Sequence, residues 1–333
     1  MNRRGTLAGL ASLSAAPLLR AAEPGHMDIA GNRLTWNGAP LRLAGIAMGD
    51  PVYIRAGRSI YDYAVVARDW AANCVRISVH PGHWRLDPGL MMQLLHTDIV
   101  AARVQGLFVI VDWHAIGFPG LYQPQPPPEW GLPADAYLST VEEAIAFWRG
   151  MARLHGDDPA ILFELWNEPV GDARHWRSDG AHWPLFRAAW QEITAEIRDL
   201  ADTILLAAGG RWAHDLTGPA AEPLPDPRTA YAWHAYPNED RDRPDRWFSS
   251  LGTLPQTHPI VVTEWGFCPD CASDLRGGLD DFAIPFTRDV LDALGLGFTA
   301  WCYSAGASPA LLAPDGTPSA YGRFLRDYLR ADW

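Results

Sequence analysis

The sequence is short of positive charge, of long apolar runs and of low-complexity segments. Lys and Arg number 27 against 39 Asp and Glu, which gives a formal net charge of −12 at pH 7. A chain of this charge repels nucleic acid and anionic membrane surfaces, so we expect a neutral or cationic ligand. Hydrophobic residues make up 48 % of the chain, which supplies a large core and argues against disorder. No linker or second core divides the 333 residues, so we predict one domain.

Cysteine is also scarce, with four residues in the whole chain. Cys268 and Cys271 form a C-x-x-C pair in a predicted loop, a pattern that fits a short disulfide, a redox pair or half of a metal site. A zinc site would need a second ligand pair at matching spacing, and the sequence shows none, so we expect no metal. In an exported protein the pair is expected to form a local disulfide. Cys74 and Cys302 lie within apolar strand candidates and are expected to be buried thiols.

The N-terminus has the pattern of an export signal. Arg3 and Arg4 precede a mild apolar run from Leu7 to Leu19, which resembles a twin-arginine signal. The run is too short and too rich in Ala and Ser to span a bilayer stably, and no later segment is apolar enough to do so. We therefore expect residues 1–24 to be an export signal and residues 25–333 to be a periplasmic or secreted monomer with no membrane attachment. The alternative is a disordered cytoplasmic tail.

Short apolar runs alternate with amphipathic helical patterns eight times along the remaining chain. Runs that are apolar throughout are typical of parallel strands buried on both faces. Eight such alternations predict an α/β fold, a single (β/α)8 TIM barrel. Residues 26–37 predict a small N-terminal β-hairpin that plugs the barrel bottom, and the segment after the fifth strand lacks a clear helix. The predicted strands are Leu41–Met48, Cys74–Val79, Phe108–Trp113, Ile161–Trp166, Thr203–Ala208, Thr229–His234, Ile260–Glu264 and Gly297–Tyr303.

Polar residues collect at the carboxyl ends of these strands, where barrels of this kind build their active sites. Glu168 and Glu264 end the fourth and seventh strands, across the barrel mouth from each other. Cleavage of a glycosidic bond needs a proton donor for the leaving oxygen and an anion for the oxocarbenium-like carbon, and two glutamates supply both if their pKa values are pushed apart. A single glutamate at the rim would equally fit a solvated or salt-bridged surface residue. Asn167 shares a site with Glu168 only if the strand end bends, because successive strand residues face opposite sides.

Two segments carry a family resemblance, namely ILFELWNEP at 161–169 and VVTEWG at 261–266. Together they resemble glycoside hydrolase family 5, the cellulase family of the clan A barrels. The resemblance covers about residues 28–330 and implies a retaining β-glycosidase that uses no cofactor. Supporting matches surround Arg76, His114, His234, Tyr236 and Trp301, and the late segment 311–319.

The resemblance implies a role for each matching position. Glu168 is similar to the acid/base and Glu264 to the nucleophile. The other implied roles are Arg76 keeping the nucleophile ionised, Asn167 binding the sugar 2-hydroxyl, His114 touching other hydroxyls, Tyr236 contacting the nucleophile, His234 supporting the acid/base and Trp301 stacking on the sugar. Four of these residues also have a structural alternative: an interior salt bridge for Arg76, satisfied core histidines for His114 and His234, and a core tryptophan for Trp301.

Further subsites are expected from aromatic and histidine residues near the rim. The sequence has 16 Trp, whose indole faces stack on pyranose rings but also fill protein cores. Long strand-to-helix segments, among them the proline-rich residues 115–137, are expected to build subsite walls, although an ordinary surface flap fits them as well. The possible subsite residues are His80, His83, Trp84, Trp130, Trp176 and Trp265.

Two other classes of function are alternatives. A metal-dependent hydrolase on the same fold would want a His-x-His pair on the first strand, which has none. A non-catalytic carbohydrate-binding barrel would not need both glutamates. Within the hydrolases we expect an endo-β-1,4-glucanase, with a β-mannanase or another β-glucan or xyloglucan hydrolase as the alternative. The expected partner is therefore a β-linked polysaccharide or oligosaccharide.

Overall fold

Eight parallel strands close a barrel in the described part of the computed structural model, which comprises residues 25–52, 58–128, 131–172, 179–237, 245–271 and 275–331. The strands follow one another around the barrel in chain order, and the last pairs with the first, so the predicted (β/α)8 fold is confirmed. In chain order they are β4 (Ala44–Gly49), β5 (Cys74–Val79), β6 (Phe108–Trp113), β7 (Ile161–Glu164), β8 (Leu205–Ala208), β9 (Thr229–Ala235), β10 (Ile260–Trp265) and β11 (Gly297–Ala300).

The lower half of the barrel interior is apolar. Cys74, Ile110, Leu162, Leu206 and Val261 come from five different strands and are at most 1 % exposed, in one cluster. Side chains of strands alternate between the two faces, so the neighbours of these residues point outward against the helices. The alternation also decides which residues reach the upper half of the interior. Two positions further along, the residue is polar in four of these five strands, whereas β8 has Ala208 there. The four polar residues are Arg76, Asp112, Glu164 and Thr263.

Helices cover the outside of the barrel, and large aromatic residues join the two layers. Trp148 and Trp190 are completely buried, and their indole N–H groups donate to the main-chain oxygens of Leu165 and Ala208. Buried indoles therefore keep their hydrogen bonds while filling the gap between helix and strand. The helices are α1 (Asp62–Arg68), α2 (Pro81–Leu86), α3 (Pro88–Val104), α4 (Val141–His155), α5 (Trp183–Arg198), α6 (Thr217–Ala221), α7 (Asp245–Leu251), α8 (Ile284–Phe286, between the π-helical turns Leu279–Ala283 and Thr287–Asp292) and α9 (Ala320–Arg330).

A small antiparallel sheet covers the amino end of the barrel. It has three strands, β1 (Met27–Ala30), β2 (Arg33–Trp36) and β3 (Ala39–Leu41), one more than the predicted hairpin. Met27 and Leu34 of this sheet belong to the same apolar cluster as the lower barrel interior. The sheet thus closes the barrel at the end opposite to the polar residues, as the sequence predicts.

The segment that follows β8 contains the short helix α6, where the sequence predicts no clear helix. Among the described residues, no helix combines the length and the apolar character that a bilayer crossing requires. The predicted export signal, residues 1–24, lies outside the described residues.

Candidate active site

A fully buried arginine organises the upper half of the barrel. Arg76, in the middle of β5, donates from Nε to Glu164 Oε2 at 2.6 Å and from Nη1 to Glu264 Oε1 at 2.8 Å. Its Nη2 lies 2.7 Å from Asn167 Oδ1 and 2.9 Å from Asp112 Oδ2. The planar guanidinium is suited to several acceptors at once. One side chain therefore fixes groups from β6, from β10 and from β7 and its extension.

Glu264 is held as a carboxylate through both of its oxygens. Oε1 accepts from Arg76, and Oε2 accepts from the Tyr236 hydroxyl at 2.8 Å. Burial alone raises the pKa of Glu264, but the charges of His234 and Arg76 outweigh it, and the net pKa lies below the ordinary value. The pairing of β10 with β9 shifts between Val262 and Glu264, an irregularity that accompanies the turn of this glutamate into the barrel. The structure contains both contacts that the family resemblance implies for this carboxylate.

The strand end before Glu168 bends, and the bend brings Asn167 and Glu168 into one site. β7 ends at Glu164, and the next two side chains, Leu165 and Trp166, both pack into the outer core. The chain then pairs with the extension of β6, where the amide of Glu168 donates to the main-chain oxygen of Ala115 at 3.0 Å. The bend therefore lies before Asn167, and it meets the condition under which Asn167 and Glu168 can share a site.

The pKa of Glu168 is shifted in the opposite direction to that of Glu264. Burial is the main cause that raises its pKa, to about 7; the charge of Glu264 adds to the rise, and the hydrogen bond from His234 opposes it. His234 Nδ1 lies 3.1 Å from Glu168 Oε1. An oxygen of Glu168, one of Glu264 and a ring nitrogen of His234 all lie within 4.8 Å of one another. Two close carboxyl groups with separated pKa values are the arrangement that suits retaining glycosidases, in which the two groups stand about 5–5.5 Å apart.

An aromatic platform adjoins the residues around Arg76 through Asp112. The rings of Trp301 and His114 are parallel within 2°, with centroids 5.3 Å apart, and His114 Nδ1 lies 2.6 Å from Asp112 Oδ2. Burial lowers the pKa of His114 well below its ordinary value, so its ring is neutral. The side-chain nitrogen of Asn167 is buried and has no hydrogen-bond partner among the described residues. A buried donor without a partner is costly, so this amide is available for a ligand hydroxyl.

A second histidine cluster adjoins the platform. Asp50 Oδ2 lies 2.7 Å from His80 Nδ1 and 3.0 Å from His83 Nδ1, and the His80 ring is 4.8 Å from that of His114. Burial would raise the pKa of Asp50, but the two imidazoles outweigh it and the net pKa is strongly lowered. The donor types of this trio, and those of the Glu168, His234 and Glu264 trio, are ones that metals accept. In both trios, however, the shortest contacts are already hydrogen bonds, and we assign no metal.

Three acidic residues of the site received no role from the sequence. Glu164 and Asp112 contact Arg76, and Asp50 holds the two histidines. The available signal was a charged residue inside or at the end of an otherwise apolar strand, since such a residue is buried only when it is paired.

One of the predicted subsite tryptophans does not lie where the sequence analysis puts it. Trp265 is fully buried outside the barrel, with its ring against Phe286 and Tyr321, so the expectation that it lines a subsite is wrong. Strand alternation explains this, because a residue that follows an inward-facing glutamate points outward. Trp84 is partly exposed and packs edge-on to Trp113, and its subsite role stays a prediction. The last two predicted subsite tryptophans, Trp130 and Trp176, lie outside the described residues.

The cysteines are arranged as the sequence predicts. Cys268 and Cys271 form a disulfide in the segment that follows β10. Cys74 and Cys302 are free and buried.

Comparison with known proteins gives a consistent family match. A sequence model of the cellulase domain, glycosyl hydrolase family 5, matches residues 28–307. Endoglucanase N of Pectobacterium atrosepticum is 27 % identical over 285 residues, which cover 79 % of this chain and 56 % of that protein. Endoglucanase E-5 of Thermobifida fusca is 24 % identical over 307 residues, covering 85 % and 59 %. The chain thus spans somewhat more than half the length of these curated relatives.

Solved structures share the barrel. A β-glucanase from Saccharophagus degradans, determined in complex with cellotetraose, has a TM-score of 0.79 at 22 % identity and covers 96 % of this chain and 97 % of its own. The catalytic domain of endoglucanase Cel5A from Thermobifida fusca has a TM-score of 0.74 at 23 % identity, covering 92 % and 98 %. At these identities the similarity establishes the fold.

Replacing Arg76 by methionine should strongly destabilise the protein. The change leaves the carboxylates of Glu164 and Glu264 buried without their cation, and breaking a buried pair in this way costs about 3–5 kcal/mol. The free energy of unfolding from urea titration measures the effect. The control is Arg149→Met, which removes an ion pair with Glu196 whose side chains are each 37 % exposed, for a cost of about 1 kcal/mol or less. Equal losses in both variants would contradict the central position of Arg76.

Proposed function

This chain belongs to glycosyl hydrolase family 5, and on that premise we propose that it is a retaining endo-β-1,4-glucanase. The observation that carries the proposal is the placement of Glu168 and Glu264, whose carboxyl groups approach within 4.8 Å while their pKa values are displaced in opposite directions. A protonated carboxyl and a carboxylate at this spacing are what a double displacement requires.

In the first displacement, a carboxylate oxygen of Glu264 attacks the anomeric carbon. The bond from that carbon to the leaving oxygen breaks, and Glu168 gives its proton to the leaving oxygen, which forms a covalent glycosyl–enzyme ester. In the second, the Glu168 carboxylate takes a proton from water, the water oxygen attacks the anomeric carbon, and Glu264 leaves. Two inversions at one carbon retain the configuration.

The neighbouring residues prepare the two glutamates for these roles. Arg76 and Tyr236 hydrogen-bond both oxygens of Glu264 and keep it ionised and oriented. The unpaired amide of Asn167 is placed to donate to the sugar 2-hydroxyl, a bond that strengthens in the transition state. The flat face of Trp301 offers a surface for the apolar side of a pyranose ring.

The substrate class is inferred from several converging observations. The matched relatives are named endoglucanases, and the Saccharophagus degradans protein was solved with cellotetraose. A net charge of −12 suits a neutral polymer. A β-mannan, a xyloglucan or a mixed-linkage glucan would use the same pair of glutamates, so the loops around the rim decide among these polymers.

We further place the sugar-binding subsite on the nonreducing side next to His80 and His83. Glu168 protonates the leaving oxygen, so the leaving part of the chain lies on its side of the cleft, and the retained part extends past His114 towards these two histidines. Asp50 Oδ2 contacts the Nδ1 atoms of both rings and thereby fixes the orientation of the two imidazoles.

Export is a separate proposal, supported by the sequence alone. The paired arginines and the apolar run within residues 1–24 support a twin-arginine-like signal and a periplasmic or secreted location. A polymer substrate too large to enter the cell suits that location.

Incubation of the mature protein with a panel of polysaccharides tests the proposed function. We expect rapid loss of viscosity of carboxymethyl cellulose and release of mixed cello-oligosaccharides, with much slower action on β-mannan, xyloglucan and xylan. Product lengths are read by chromatography, and the double variant Glu168→Gln/Glu264→Gln provides the inactive control. Preferred cleavage of mannan, or release of only one short product, would refute the endo-β-1,4-glucanase assignment.

The variant Glu264→Ala should lose turnover, and azide should restore cleavage of an activated aryl β-glycoside. Azide enters the space left by the carboxylate and attacks the anomeric carbon once, so the sugar azide should have inverted configuration, which NMR identifies. Glu168→Ala is the matched control, because azide there attacks the glycosyl–enzyme ester and the product should keep its configuration. A retained azide from Glu264→Ala would exclude it as the nucleophile.

Loss of the general acid should depend on the leaving group and on pH. In the wild type, kcat/KM should fall as pH rises through about 7, since Glu168 donates only in its protonated form and its pKa is raised to about 7. In Glu168→Ala, unactivated glucan should be cleaved about 10²–10⁴-fold more slowly. A dinitrophenyl glycoside, whose leaving group needs no proton, should form the glycosyl–enzyme nearly as fast as in the wild type and without the alkaline decline. Equal slowing of both substrates would argue against the role.

A further inference from the structure

A third glutamate lies buried beneath the proposed catalytic pair and has no part in the double displacement. Glu164, the last residue of β7, is completely buried. Its Oε2 accepts from Arg76 at 2.6 Å, and its Oε1 accepts from the Thr263 hydroxyl at 2.8 Å. Its pKa is raised by burial, but Arg76 and His234 outweigh this and bring it down to about 2, so the group is ionised. An ionised carboxylate at this depth needs partners beyond a single arginine.

His234 stands between this glutamate and the proposed general acid. Its Nδ1 is 3.1 Å from Glu168 Oε1 and 3.8 Å from Glu264 Oε2, and its Nε2 is 3.9 Å from Glu164 Oε1. Nε2 is buried and has no hydrogen-bond partner among the described residues. Carboxyl groups therefore face both nitrogens of one fully buried imidazole, which favours a proton on each nitrogen.

Other charged or titratable groups also face this imidazole. From β5, the guanidinium of Arg76 is a cation and by like-charge repulsion opposes a positive charge on this ring, while Glu264 on β10 favours it. The ring of His214, after β8, lies edge-on to that of His234 at 6.4 Å, and Tyr236 lies beyond it at the end of β9. Burial by itself lowers the pKa of His234, but Glu264, Glu164 and Glu168 outweigh it and raise the pKa to about 10. Asp112 adds a further acidic group on the far side of Arg76.

We propose that Glu164 is a positioning residue for the general acid, which acts by keeping His234 in its doubly protonated, cationic form. In that form Nδ1–H donates to Oε1 of Glu168, so the acid's proton resides on Oε2 and is available to the substrate. A neutral His234 with its proton on Nε2 would instead accept the proton of Glu168 at Nδ1 and turn the acid away from the leaving oxygen. The inference rests on Glu168 being the general acid of the proposed function.

The direction of a pKa change separates this role from a direct electrostatic one. If Glu164 acted on Glu168 only through space, removing its negative charge would lower the pKa of Glu168. If it acts through His234, removing it makes the imidazole neutral, the carboxylate of Glu168 loses its cation, and the pKa of Glu168 rises. A merely structural glutamate would leave this pKa where it is.

The decisive variant is Glu164→Gln, which keeps the shape of the side chain and an acceptor for Arg76. In the pH profile of kcat/KM, we expect the decline on the alkaline side to move to higher pH by about one pH unit. We also expect kcat on unactivated glucan to fall tenfold or more, with KM little changed and with a smaller loss on a dinitrophenyl glycoside. A decline that stays in place or moves to lower pH would overturn the proposal. Asp226→Asn is the matched control, since it removes the half-buried pair with Arg198 at the amino end of β9, and its alkaline decline should not move.

An NMR titration of labelled His234 gives a readout that needs no substrate. The imidazole should be cationic at pH 7 in the wild type and neutral at that pH in Glu164→Gln. The NMR signal of His234 is identified as the one that is missing in the His234→Asn variant. A wild-type ring that is neutral at pH 7 would overturn the proposal even if Glu164→Gln failed to fold. When His234 is already replaced by Asn, adding Glu164→Gln should not move the alkaline decline of kcat/KM to higher pH. Failure of the wild type to cleave any glucan would instead refute the proposed function, and the titration would still stand.

Discussion

The upper half of this barrel depends on a guanidinium group that water does not reach. Arg76 is the only residue that contacts Asp112, Glu164, Asn167 and Glu264 together among the contacts of the described chain. Carboxylates cannot remain ionised at that depth alone, because each loses several kcal/mol of hydration on burial. The arginine replaces that hydration with short, directed hydrogen bonds, and it does so for groups on opposite sides of the barrel. The geometry of the candidate active site is therefore set by a residue that is itself fully buried.

The arrangement of charges explains why the two proposed catalytic glutamates differ in pKa although they lie close together. Arg76 and His234 are cationic, and Glu164 and Glu264 are the carboxylates that face them most closely. Glu168 lies at the edge of this balanced group, with its side chain 14 % exposed and no contact to the arginine. Burial then dominates its pKa, whereas cations dominate that of Glu264. The difference between acid and nucleophile thus arises from which glutamate the arginine reaches.

Much of this arrangement is predictable from the sequence, and the features that are not predictable have physical causes. The strands are predictable because strands buried on both faces are apolar throughout, and β5 and β6 occupy the predicted residues without change. The end of β7 is not predictable in this way, because Leu165 and Trp166 turn outward and Trp166 packs against Trp190 of α5, which is distant in sequence. Glu164 carries a visible signal, a charge in an apolar strand, but its partner is decided by the register of β5, β6 and β7, which local sequence does not specify.

The wrong subsite prediction for Trp265 shows that a residue next to a functional residue in sequence need not lie beside it in space. Sequence proximity to Glu264 favoured a place in the cleft, yet the alternation of strand side chains already excluded it. The same rule applied to β7 would have kept Asn167 and Glu168 apart, and there it fails because the strand has ended. Alternation is reliable only where the ladder of hydrogen bonds continues. Glu264 lies within the ladder of β9 and β10, whereas Asn167 and Glu168 lie beyond the end of β7. A neutral sugar that fills this region brings no charge of its own and displaces water. It therefore strengthens the burial that raises the pKa of Glu168, and it leaves unchanged the ion pairs that hold Glu264 as an anion.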